Sequence, residues 1–177
     1  MTKFLSLILG AYLLLLVGNN SLANGLVVNF EGNLLTNGCK LSDDALKKEI
    51  TLPNLRFSTL ENLGRSDIQP FQLDIVNCTT MAMNKTIKIT LSSEKIITNN
   101  GISYVMTNGV TNILLALTDN EGKELKFNVP IDISKITQVG KDSVNTLLLG
   151  VYAKKPWIDR LKPGDFSALV TFNLDYI

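Results

Sequence analysis

The last fourteen residues constrain the fold most. From Gly164 to Ile177 the chain reads as one long strand that runs to its end. Phe166, Ala168, Val170, Phe172, Leu174 and Tyr176 fall on one face by the two-residue period of an extended chain. Asp165, Ser167, Thr171, Asn173 and Asp175 fall on the other; Leu169 and Ile177 break the alternation. A half-buried strand normally turns back into a neighbour. This one stops, so its edge either pairs inside the domain or takes a strand from another molecule.

The opposite end reads as a signal peptide over residues 1–23. Lys3 supplies the positive start, Phe4 to Val17 is an apolar run, and Ser21-Leu22-Ala23 sets small residues at the two positions a signal peptidase reads. The run is short for a bilayer span. Cleavage after Ala23 is expected to leave Asn24 first and 154 residues, the size of one domain. Without Lys3 the chain carries 16 basic and 16 acidic residues, so no basic patch is implied and nucleic acid is not an expected partner. Cys39 and Cys78 are the two cysteines; in an exported chain an even pair is expected to form one disulfide, worth about 4 kcal/mol in the chain-entropy model.

Between these landmarks the pattern is β throughout. Phe71–Val76 and Thr86–Leu91 alternate, Asn112–Thr118 is a buried-strand run, and Leu147–Ala153 is another strand, stopped by Lys154-Lys155-Pro156. Asp119-Asn-Glu-Gly122 followed by Leu125-Lys-Phe127 reads as a hairpin. Asn99-Asn-Gly101 and Thr107-Asn-Gly109 read as turns. Ser42 caps a turn or two of helix over Asp43–Lys48, after which Glu49–Leu52 reads as a strand. Many short strands punctuated by turns point to a β-sandwich. The true immunoglobulin pattern is absent: the cysteines lie too close together, and Trp157 follows both. They are expected to join neighbouring strands near the start of the fold.

A second strand pattern lies at residues 24–35. Leu26, Val28, Phe30 and Leu34 alternate, with Gly32 on their face, where a strand glycine often marks a close approach of another chain. This segment runs directly into the approach to Cys39, so it is expected to project away or pack loosely instead of filling its own domain.

With these residues assembled, the chain resembles a pilin subunit of the chaperone–usher pathway. Val28-Asn-Phe-Glu-Gly-Asn-Leu-Leu-x-x-x-Cys39 is similar to the family's N-terminal extension. Phe71-x-Leu-x-Ile-Val-Asn-Cys78 is similar to its second-cysteine motif, and Leu147–Ala153 to its penultimate strand region. Gly164, fourteenth from the end, and the penultimate Tyr176 complete the likeness. Among pilins the wording around Phe30 and the short approach to Cys39 resemble a minor or adaptor subunit of the P-pilus type.

The resemblance implies an all-β fold: an incomplete immunoglobulin-like sandwich over residues 36–177 that lacks its last strand. It implies that a periplasmic chaperone lends a strand, with its basic residues on the Ile177 carboxylate. At the outer-membrane usher, the 24–35 extension of a neighbouring pilin subunit then replaces that strand. By the same likeness Leu26, Val28, Phe30, Gly32 and Leu34 are donor-strand residues. Gly164, Phe166, Ala168, Val170, Phe172, Leu174, Tyr176 and Ile177 form the acceptor groove and the chaperone-binding strand. Four apolar donor side chains would contribute about 6–12 kcal/mol before entropy losses. Each subunit gives one strand and receives another, so the contact is heterologous and grows a filament. The product would be exported through the periplasm to a cell-surface fimbrium.

Other functions fit less well. The chain holds no His, which removes the commonest general base, and no Gly-x-Ser-x-Gly elbow. Asp43-Asp44 reads as solvated surface. No enzyme activity, cofactor, metal or small-molecule substrate is expected. A single-domain tip adhesin, with Tyr104, Tyr152 and Trp157 lining a ligand surface, and a pilus terminator are the alternatives. The Asn-x-Thr triplets at Asn77 and Asn84 read as chance.

Overall fold

The structure, a computed structural model, describes residues 28–29, 38–52 and 55–177. The expected signal peptide, and donor-strand residues Leu26, Phe30, Gly32 and Leu34, lie outside the described residues. The strands are β1 (Val28–Asn29), β2 (Lys40–Leu41), β3 (Gln69–Val76), β4 (Thr86–Ser92), β5 (Ile96–Asn99) and β6 (Ile102–Met106). They continue as β7 (Asn108–Gly109), β8 (Leu114–Thr118), β9 (Pro130–Lys135), β10 (Val144–Lys154), β11 (Phe166–Leu169) and β12 (Thr171–Tyr176). Two short helices interrupt them, α1 (Asp43–Leu46) and α2 (Phe57–Leu63).

Among the described residues the strands form a large sheet in the order β2-β3-β10-β8-β6-β5 and two small ones, β12-β4-β9 and β1-β11-β7. Period-two side chains explain the layering. Leu73 and Ile75 of β3, Leu147, Leu149 and Val151 of β10, and Leu115 of β8 point inward from the large sheet. Ile87, Ile89 and Leu91 of β4, with Phe172 and Leu174 of β12, point inward from the facing layer. Phe71 of β3 meets Phe172 of β12 edge-on at 6.5 Å between ring centres, tying the layers together. The opposite face of the large sheet carries its own small cluster of Tyr104, Leu114, Ala116 and Tyr152.

Cys39 and Cys78 are joined, just outside the paired ends of β2 and β3. The bond is buried, and the chain beside it is held by polar contacts. Asn145 accepts from the backbone N–H of Thr137 (2.9 Å) and Gln138 (3.0 Å) and donates to the Gln138 carbonyl (2.9 Å). Ser143 Oγ accepts from the Cys78 N–H at 2.9 Å. Two buried polar side chains thereby find partners and pin the 136–143 loop to the disulfide.

Turn chemistry follows the sequence closely at Asn100-Gly101, where both residues have positive φ (51° and 80°) and β5 turns directly into β6. Two consecutive left-handed residues in a two-residue loop match the twist of the flanking strands, which Asn-Gly supplies at least cost. Ser42 caps α1, accepting from the Ala45 N–H at 3.2 Å as expected.

Two local expectations are corrected, and one helix is added. Glu49–Leu52 forms no strand: Ile50 and Leu52 are buried in the core without a ladder partner. Thr107-Asn-Gly109 is not simply a turn, because Asn108–Gly109 is β7, paired antiparallel with Phe166–Ser167. A Cβ on Gly109 would lie 2.3 Å from the Asp165 carbonyl oxygen, and its φ is +110°, so glycine is required by the closeness of this pairing. Helix α2 was not anticipated. It ends on Gly64 in the left-handed conformation, whose N–H returns to the Leu60 carbonyl.

Candidate functional site

Strands β11 and β12 are the two halves of the C-terminal pattern, separated at Val170. Phe166, Ala168, Val170, Phe172 and Leu174 are all buried, whereas Ser167, Leu169, Asn173 and Asp175 are exposed. The face anticipated from the alternation is therefore the face that enters the core. Gly164 precedes it at the point where Val110 packs against the backbone.

The two edges of this hairpinless strand differ. β12 pairs with β4 from Thr171↔Ser92 to Tyr176↔Ile87. On its other side no strand lies among the described residues, since β12 ends its sheet. β11 has β7 on one side, and on the other it pairs in parallel with Val28↔Ala168 and Asn29↔Leu169. The expectation that residues 24–35 project away or pack loosely is thus overturned at Val28 and Asn29. Nine Cα–Cα steps lead from Asn29 to Gly38, a reach of about 30 Å, so the approach to Cys39 has more slack than its directness suggests. An unsatisfied strand edge takes the backbone that can reach it.

The two ends of the β11–β12 strand also differ. At the Tyr176 end, Ile177 exchanges two backbone hydrogen bonds with Thr86 (2.7 and 3.1 Å), and its side chain is exposed. The Tyr176 ring lies over Gly38, where an added Cβ would sit 3.4 Å from it. Its hydroxyl is buried without a hydrogen-bond partner. Burial, with a smaller contribution from the Asp175 charge, pushes its pKa up to about 12. At the Gly164 end an open cavity of about 230 Å³ lies between Phe57, Leu60, Leu161, Pro163 and Phe166, with Thr111 and Lys162 also in its lining.

The aromatic residues considered for ligand binding do not form a common platform. Tyr104 and Tyr152 are buried; Tyr152 Oη donates to Glu124 at 3.1 Å, and Arg65 covers its ring at 5.1 Å. Burial pushes the Tyr152 phenol up as well. Only Trp157 is open to solvent, and it packs edge-on against Tyr104 at 5.2 Å. Among the described residues no group of three or more His, Cys, Asp or Glu side chains could hold a metal ion, and no helix is long and apolar enough to cross a membrane.

Known proteins place this geometry. A family model described as "Fimbrial protein" matches residues 28–177. The chain is 30% identical to the fimbrial adapter PapK of Escherichia coli over 161 residues, covering 84% of this chain and 86% of that protein. It is 26% identical to the major MR/P fimbria protein of Proteus mirabilis, covering 84% and 82%. The crystal structure of the P pilus rod subunit PapA superimposes with a TM-score of 0.64 at 26% identity, covering 79% of this chain and 99% of that one. The fold is accordingly the immunoglobulin-like sandwich of pilus subunits, short of one strand.

Proposed function

The chain belongs to the fimbrial protein family, whose members are structural and not enzymes, and on that premise we propose that it is a minor, adapter-like fimbrial subunit that polymerises by exchanging strands. The observation that carries this reading is the lopsided β12: its apolar face is buried, β4 covers one edge, and the other edge has no strand among the described residues. The same chain carries an alternating segment, Leu26 to Leu34, suited to such an edge. Residues 24–35 are the donor strand and residues 36–177 the accepting domain, reached after loss of residues 1–23.

The direction of the incoming strand follows from where this chain's own segment departs. Gly38 lies against Tyr176, so that segment leaves at the Tyr176 end. A parallel donor would bring its own domain to that same end, where the two would compete for space. An antiparallel donor brings it to the Gly164 end and lets the filament extend in one direction. The parallel pairing of Val28–Asn29 with β11 is then a provisional cover, in the less stable of the two ladder types, that an antiparallel neighbour displaces. A periplasmic chaperone would hold the edge before assembly, using the exposed Ile177 terminus, and an outer-membrane usher would receive the subunit. The product would stand on the cell surface. The adapter assignment draws on the 30% identity to PapK together with the short approach to Cys39.

Thermal unfolding of the chain lacking residues 24–35 tests this, with and without a peptide of residues 24–36. A peptide at a hundred times its Kd should add about 2.7 kcal/mol, or about 5–10 °C for a domain of this size. A midpoint indifferent to this peptide and to other pilin N-terminal peptides would remove the strand-exchange reading. Immunogold labelling of fibres checks position: sparse labels fit a minor subunit, whereas continuous labelling would make it the rod.

A further inference from the structure

A second cavity, of about 550 Å³, lies between α2 and the start of β3, with Leu52, Leu55 and Ile68 as its apolar lining. Both of its walls are tied to the end of β10. On one side the Ser66 N–H donates to the Ala153 carbonyl at 2.8 Å, and the Ala153 N–H donates to Ser66 Oγ at 3.0 Å. Four steps from Arg65 to Gln69 face three from Lys154 to Val151, so the chain bulges here by one residue. The bulge sets Ile68 against Gly150, where an added Cβ would meet it at 2.5 Å. On the other side the Lys155 N–H donates to the Gly64 carbonyl at 2.9 Å and Lys155 Nζ pairs with Glu61, which pins the end of α2. The cavity is therefore built before anything enters it.

Its polar groups are unspent. Arg56 and Asp67 belong to this lining, and neither forms an ion pair among the described residues. Their opposite charges cancel, so the cavity favours neither an anion nor a cation. Arg56 offers only donors and Asp67 only acceptors, while the Thr59 hydroxyl and the Gln69 amide offer both. Such groups around an apolar lining match a molecule whose hydroxyls donate and accept and whose ring C–H groups form an apolar face. A saccharide has that chemistry, and the volume takes about two sugar rings. A free amino acid could span the two charges but would leave most of the cavity unfilled.

We propose that the cavity between α2 and β3 binds a neutral oligosaccharide, with Arg56 and Asp67 hydrogen-bonding its hydroxyls and Leu55 and Ile68 against the apolar face of a ring. The sugar is held and not transformed: Asp67 is the one carboxylate in the lining, whereas glycoside hydrolysis ordinarily takes a pair. The site is separate from the β12 edge and does not depend on strand exchange. Leu55 also lines the cavity at the Gly164 end and stands between the two.

Saturation-transfer NMR on the full mature chain tests this with lactose, maltotriose, mannobiose and diacetylchitobiose, beside sialyllactose and leucine as charged comparisons. Expected is transfer to at least one neutral sugar, with affinity weakened about tenfold by Arg56→Met or by Asp67→Asn and the unfolding midpoint unchanged. Thr59→Trp, which fills the cavity from the α2 side, should abolish the transfer. Trp157→Ala, at the exposed aromatic elsewhere on the surface, should leave it intact. No transfer to any of the four neutral sugars would overturn the proposal. So would a signal that survives both Arg56→Met and Thr59→Trp, or one lost with Trp157→Ala, because the sugar would then sit elsewhere. Stronger transfer to sialyllactose or to leucine would overturn the assignment to a neutral saccharide.

Discussion

β10 and β12 are built from the same alternation of apolar and polar residues, yet among the described residues one has strands on both sides and the other on one. β10 pairs with β3 across Val144–Val151 and with β8 across Gly150–Lys154, so its backbone groups are engaged on both sides where the neighbours overlap. Among the described residues β12 pairs with β4 alone. Both bury their inward faces: Leu147, Leu149 and Val151 in one case, Phe172 and Leu174 in the other. The side-chain pattern decides which face is buried. Only the supply of neighbouring strands decides whether the edge is satisfied, and that supply is a property of topology, not of the strand's own residues.

The sharpest way to break this comparison is to truncate one core residue on each strand. Phe172→Ala removes a fully buried ring packed on Phe71 and is expected to cost about 3–5 kcal/mol. Leu149→Ala on β10 is expected to cost about 2–5 kcal/mol. The two should differ in how they respond to the 24–36 peptide. Phe172→Ala should diminish the peptide-induced rise in midpoint, because the donor would pack beside that ring; Leu149→Ala should leave the rise unchanged. Equal increments in both variants, measured by denaturant titration, would show that β12 is no more open than β10.

The disulfide belongs to the finished side. Replacing Cys39 and Cys78 together by Ala should cost about 4 kcal/mol in the chain-entropy model, while the peptide increment stays as in the parent chain. Asn145→Ala comes next, at about 1–3 kcal/mol, because it strips the Thr137 and Gln138 amides of their acceptor in a buried setting. Hydrogen exchange should show those two amides losing protection while those of β12 are unaffected. Loss of protection along β12 would mean that the two sides unfold as one unit.

Much of this was legible in the residues. The period-two run of Phe166 to Leu174 predicts its buried face, and Asn100-Gly101 predicts its hairpin, because both signals are local. Three features were hidden for physical reasons. Helix α2 has no side-chain cap at Arg56 and spans seven residues, too few to show a clear helical period; Gly64 at its end is the one signal that could have found it. Glu49–Leu52 carries the alternation of a strand, but no neighbouring strand pairs with it, so Ile50 and Leu52 are buried without a ladder. The parallel contact of Val28–Asn29 with β11 depends on chain reach, which no local pattern encodes. The candidate site was legible on one side only: the buried face of Phe166 to Leu174 could be read from alternation, whereas the edge of β12 without a strand among the described residues became visible only when every described strand had been placed.

The smallest effect probes the end of the open edge. Tyr176 Oη is buried with no partner, so Tyr176→Phe removes an unpaid desolvation cost and should stabilise the chain by up to about 1 kcal/mol near neutral pH. The pH dependence has a definite sign. The folded phenol is pushed up to about 12, above the usual value near 10, so folding favours the neutral form. That contribution is complete below pH 10 and is lost as pH rises from there through 12. The advantage of the Phe variant should therefore widen over this window, and a constant difference across it would place the ionisation elsewhere. The peptide adds a second reading. If an incoming strand brings a carbonyl to Tyr176 Oη, the hydroxyl gains its missing acceptor, and the peptide should stabilise the parent chain more than the Phe variant. An orphan hydroxyl at the end of an unfinished edge would then be a group whose partner arrives with the neighbouring subunit.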